Sequence, residues 1–122
     1  MSEAMFDTGI LIDALCGVKP AQVELTRYSR RFISRITWME ILSLSAPDDA
    51  RRSEEFMDHF TILEVDEEIG RRAATLRTQR PGLTLPDAII LATALLRGRV
   101  LITRNTQDFP ANMPGIRVPY SI

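Results

Sequence analysis

Short apolar runs alternate along this chain with longer segments whose apolar positions recur every three or four residues. The runs read as strands: the one ending at Asp7, then residues 31–34, 61–65, 100–103 and 116–118. The longer segments predict helices over 8–15, 20–28, 37–45, 47–60, 67–79 and 85–96. Turn formers punctuate them: Gly17 and Pro20, Pro47, the Pro81-Gly82 pair, and Gly98. In the second helix Gln22, Glu24 and Arg27 are expected to face water, and in the fourth Phe56, Met57 and Phe60 to face inward. Ile69, Ala73 and Leu76 fall at helical spacing behind an Asp66 cap. Residues 85–96 are apolar nearly all the way round, which marks a helix buried on most sides. Strands alternating with helices predict an α/β fold, a mostly parallel sheet of about four to five strands covered by helices. No repeat or linker divides residues 1–122, so one domain is expected.

Composition narrows the chemistry. The balance, 45% hydrophobic and 25% charged, is that of an ordinary soluble protein, and the net charge of −1 excludes a globally basic nucleic-acid binder. Lys19 is the one lysine among 15 basic residues; the rest are arginines, which suit forked contacts with phosphate or carboxylate. Cys16 stands alone, so neither an internal disulfide nor a cysteine metal cluster can form, and a small core residue is the expectation. His59, the sole histidine, excludes a multi-histidine metal site and is expected at the surface or its boundary. No secretory signal or membrane-length apolar run is visible, and a cytoplasmic location is the default.

Carboxylates supply what remains. Asp7 ends the first strand, beside Thr8 and Gly9, at the sheet edge where α/β proteins bind ligands. Glu40, Asp87 and Asp108 each follow a capping-type residue by three positions, Thr37, Thr84 and Asn105. Each alone could be half of a capping box, and for one acid considered singly that is the better reading. Together at helix starts along one edge they would converge with Asp7. Clustered carboxylates repel one another and resist ionisation, and a hard divalent cation relieves that. In the segment 98–108 the Thr103 hydroxyl could bond a site carboxylate, Asn105 could orient Asp108, and Arg104 could meet a phosphate. Asp13, nearly two turns beyond Asp7, is expected on an exposed helix face.

Four segments, FDTGILIDAL, ITWMEILSL, LPDAIILATAL and LITRNTQDF, resemble in order and spacing the PIN-domain nucleases, in particular the VapC-type toxins of toxin–antitoxin pairs. The resemblance spans nearly the whole chain. It implies a parallel sheet with helices on both faces and an acidic site for Mg²⁺ or Mn²⁺. It also implies RNA cleavage, an inhibiting antitoxin partner and a homodimer. Carried over by motif, Asp7, Glu40, Asp87 and Asp108 are the metal-binding and catalytic quartet, with Thr8, Thr103 and Asn105 as supporting neighbours. Gly9 departs from the pattern, which more often has asparagine or serine there. Three arginine groups, 27–35, 71–80 and 97–104, would ordinarily be solvated faces; an RNA or antitoxin surface is the sharper reading. Two rivals stand beside the nuclease. A phosphoacceptor receiver domain wants a lysine near the end of a late strand, which this chain lacks. A catalytically inactive PIN-like binding module need not keep four acids.

Overall fold

The computed structural model describes residues 2–121. Its elements run β1 (Glu3–Phe6), α1 (Thr8–Leu15), α2 (Lys19–Thr26), β2 (Arg30–Ser34), α3 (Arg35–Leu44) and α4 (Ala50–Met57). There follow β3 (Thr61–Leu63), α5 (Glu67–Gln79), α6 (Leu85–Arg97), β4 (Leu101–Ile102) and β5 (Ile116–Arg117). The five strands form one sheet in the order β3-β2-β1-β4-β5, and every pair is parallel.

Alternation along β1 splits the interior into two layers, because successive strand side chains point to opposite faces. Ala4 and Phe6, with Ile33 and Ile102, pack under α1, α2 and α4. Met5, with Phe32 and Leu101, packs under α5 and α6. Helices therefore cover both faces. α3 bridges the layers: Ile41 belongs to the first and Ile36 borders the second.

Several elements fall where the sequence pattern predicts. Asp66 accepts a hydrogen bond from the Ile69 N–H at 2.9 Å and starts α5. Thr84 caps α6, Pro86 occupies its first turn, and Gly98 ends it with φ at +64°, a left-handed conformation that costs glycine little. α6 is less enclosed than its composition predicts, since Leu85 and Leu95 remain about half exposed.

Others differ for identifiable reasons. α3 begins at Arg35, not Thr37, because the Ser34 hydroxyl caps the Ile36 N–H at 3.1 Å. α4 starts only at Ala50, after a turn over 47–49, and Phe60 lies beyond its end. Phe60 is nonetheless buried, edge-on to Phe6 with ring centroids 6.0 Å apart. Cys16 is exposed at the end of α1 rather than in the core. Glu24, expected to face water, is buried and receives Arg117 and Tyr28. Among the described residues no helix is long and apolar enough to cross a membrane.

Candidate functional site

The chain passes from β1 to β2 on one side of the sheet, then crosses to enter β4 on the other side of β1. A crevice opens at such a switch point, beyond the carboxyl ends of the two strands. Register fixes what lines it. Phe6 pairs with Ile102, so the next residues, Asp7 and Thr103, face each other past the last rung. The Asp7 N–H bonds the Ile102 carbonyl at 2.9 Å, and the Thr103 hydroxyl donates to Asp7 Oδ2 at 2.7 Å. Asp7 Oδ1 accepts from the Thr8 N–H at 2.8 Å, which makes Asp7 the N-cap of α1. The capping role that sequence spacing assigned to the other three acids thus belongs in part to Asp7.

Glu40 does not cap anything. It is the sixth residue of α3, beyond the first turn, and half-buried. Its Oε1 accepts the Thr8 hydroxyl at 2.7 Å. Thr8 and Thr37 hydroxyls lie 3.0 Å apart. With its single proton given to Glu40, Thr8 receives that of Thr37. Thr37, read from the sequence as a helix cap, is instead a fully buried link in this chain of hydroxyls.

Asp87 sits in the first turn of α6, and its N–H bonds the Thr84 hydroxyl at 3.3 Å, as the capping pattern predicts. Asp108 lies in a turn, with no helix after it. Asn105 closes that turn from both sides. Its side-chain amide donates to Asp108 Oδ2 at 3.1 Å, and its Oδ1 accepts the Asp108 N–H at 3.3 Å. The Asn105 N–H is held in turn by the Thr103 hydroxyl at 3.0 Å. Arg80 donates to the Asp108 carbonyl, a contact 28 residues away that spacing does not announce.

The electrostatics join these side chains. Burial pushes the Asp7 carboxyl above its ordinary range; the bonds from Thr103 and the Thr8 N–H oppose that, and the Glu40 charge adds to it. Burial, then the Asp7 charge, then Asp108 push Asp87 up to about 6. Asp7 therefore senses Glu40, and Asp87 senses both Asp7 and Asp108. Among the described residues no arginine or lysine side chain bonds any of the four carboxylates. Nor do three of them close into a ready metal cage; they meet as neighbouring pairs.

Asp13 corrects its expectation. It is only 7% exposed, its Oδ2 accepting the Tyr120 hydroxyl at 2.7 Å and lying 2.6 Å from Arg104 Nε. Those partners come from the far end of the chain, which local spacing cannot report. Several other arginines are tied to surface acids: Arg35 to Glu64, Arg71 to Glu67, Arg97 to Asp66 and Glu68, and Arg30 and Arg99 to Glu3.

Comparison with known proteins agrees with this geometry. The PIN domain family profile matches residues 4–112. A chain of a toxin–antitoxin complex from Klebsiella pneumoniae superposes with a TM-score of 0.89 at 42% identity, covering 98% of this chain and 99% of that one. A chain of DNA-bound VapBC from Salmonella typhimurium gives 0.76 at 27% identity, with 96% of each chain covered. FitAcB from Neisseria gonorrhoeae gives 0.76 at 21% identity over 95% of this chain and 97% of that one, a likeness of fold alone. Comparison with curated protein sequences finds no match. With its parallel five-stranded sheet, its switch-point acids and a family profile spanning most of its length, the chain belongs to the PIN domain family.

Proposed function

We propose that this protein is a metal-dependent ribonuclease, the toxin of a toxin–antitoxin pair, acting as one domain over the whole chain. One observation carries the reading. Among the described residues six acidic side chains are buried or half-buried: Asp7, Asp13, Glu24, Glu40, Asp87 and Asp108. Asp13 and Glu24 have arginine partners. The four at the switch point have only hydroxyls, amides and one another. Carboxylates left in mutual repulsion with no cationic side chain bonded to them suit a cation that arrives from solvent.

The donor set fits Mg²⁺ or Mn²⁺. Every donor is a carboxylate oxygen, which a hard ion prefers, and no histidine or thiol is near. Mg²⁺ keeps several waters and takes one or two carboxylates, so neighbouring pairs serve it where a closed cage would not. Asp7, Asp87 and Asp108, with Glu40, would hold it. When bound, the ion activates water and offsets charge on the phosphodiester. The chain's own residues do the rest. Thr103 fixes one Asp7 oxygen while the Thr8 N–H fixes the other. Thr8 orients Glu40, and Asn105 holds Asp108 toward Asp87. The likeness to toxin–antitoxin complexes supports an antitoxin as the protein partner.

The test is incubation of the purified protein with total cellular RNA, with and without Mg²⁺ or Mn²⁺, followed by sequencing of new ends. Discrete metal-dependent cuts that vanish in Asp7→Asn are the expected result. RNA left intact under every metal condition would overturn the reading in favour of a non-catalytic binding module.

A further inference from the structure

Arg104 is anchored on a buried acid, Asp13, next to the residue that bonds Asp7. Its Nε lies 2.6 Å from Asp13 Oδ2, an ion pair rather than an aligned hydrogen bond. The same oxygen accepts the Tyr120 hydroxyl at 2.7 Å. Burial and the Asp13 charge push the Tyr120 phenol above its ordinary range, so it remains a donor. Neither terminal amino group of Arg104 makes a hydrogen bond with any described residue. The guanidinium lies over Gly9: a Cβ there would touch Arg104 Nε at 3.4 Å and Nη2 at 3.6 Å. Arg104 is also the residue next to Thr103, and its charge is felt at Asp7. It is thus a cation held by its inner nitrogen, its fork free of hydrogen bonds to the described residues, beside the carboxylate pocket.

We propose that Arg104 binds a phosphate of the RNA strand and that Asp13, locked by Tyr120, is the positioning residue that holds it there. The inference rests on the nuclease reading for its substrate class. A planar guanidinium pre-set in this way presents two parallel donors to phosphate oxygens at little cost in side-chain entropy. Asp13 acts through Arg104 and does not itself touch RNA.

Electrostatics makes the test sharp. Asp13→Asn deletes a negative charge near the site, and by charge alone RNA should bind more tightly. Loss of the anchor predicts the opposite. The measurement is binding of a short labelled single-stranded RNA to the full chain in chelator, across a salt series, with melting temperatures alongside. Arg104→Ala is expected to weaken binding about tenfold and to reduce the salt slope by about 0.7, the value for one phosphate contact on a single strand. Asp13→Asn is expected to weaken it in the same direction and to flatten the slope, although no basic residue has been removed. Tyr120→Phe, a milder change to the same anchor, guards against an Asp13 variant that folds poorly and should give a smaller loss. Equal or tighter binding by both folded Asp13→Asn and Tyr120→Phe would overturn the proposal, as would an unchanged salt slope in Arg104→Ala. Because binding is read in chelator, wild-type RNA binding that depends on Arg104 without cleavage in any metal would retire the nuclease reading and leave the phosphate contact standing.

Discussion

Glu24 and Asp7 are both buried carboxylates, 3% and 5% exposed, and they are treated in opposite ways. Burial would raise Glu24, but hydrogen bonds from Arg117 and Tyr28 outweigh it and hold Glu24 below the usual carboxylate range. Arg117 makes a two-pronged contact, at 2.8 and 3.2 Å, that ties β5 to α2. Asp7 receives one hydroxyl and one N–H instead, and burial wins. A protein that needed only stability would have given Asp7 an arginine too. Withholding one leaves local free energy unrelieved, as sites kept ready for a ligand commonly do.

The widest separation between the two regions should appear in paired conservative changes. Asp7→Asn is expected to cut RNA cleavage by about a thousandfold or more while leaving the melting temperature unchanged or higher. Glu24→Gln should leave cleavage within about twofold and lower the melting temperature by several degrees, roughly 1–2 kcal/mol. Cleavage assays and thermal melts on both variants decide it, and a shared phenotype would collapse the contrast.

A smaller effect sharpens it from the stability side. Arg117→Ala leaves Glu24 buried without its main partner and should cost about 2 kcal/mol in urea unfolding, less than a fully enclosed pair because Arg117 is partly exposed. The smallest effect is a pH dependence. Asp87 holds its proton up to about 6 in the folded chain, against 3.8 for an ordinary aspartate. Between those values the folded state carries more protons than the unfolded state, so this group's contribution to stability falls as pH rises. Since Asp87 is half exposed and solvent-screened, the loss should be under about 1 kcal/mol. Asp87→Asn should remove it and be slightly more stable than wild type at about pH 7 without metal, read from urea curves at about pH 5 and 7. A wild-type chain that gains stability over that range relative to Asp87→Asn would contradict the assignment.

Local chemistry made much of this readable in advance. Asp66 and Thr84 are strong caps beside clear helical periodicity, and α5 and α6 begin where those residues predict. Asp7 was visible as a carboxylate ending an apolar run. The misreadings share a cause: the deciding partner was distant in sequence or ambiguous in type. Ser34 has the pattern of a strand end and is also the cap of α3, which sets Glu40 further into the helix than a cap at Thr37 predicts. Glu24 and Asp13 look like surface acids until Arg117, Arg104 and Tyr120 fold back on them from about 90 to 110 residues away. The strand order, and hence the meeting of Asp7 with Thr103, depends on a crossover that no periodicity encodes.

That meeting sets a timetable. Asp7 is made 96 residues before its hydroxyl partner, Thr103. Asp108 and the Tyr120 lock follow later still. A growing chain can settle β1, β2 and β3 with their helices early, yet the carboxylate pocket has one wall until β4 slides in beside β1. A ribosome that stalls before residue 100 therefore releases a fragment that carries Asp7, Glu40 and Asp87, lacks Thr103 and Asp108, and has its pocket open.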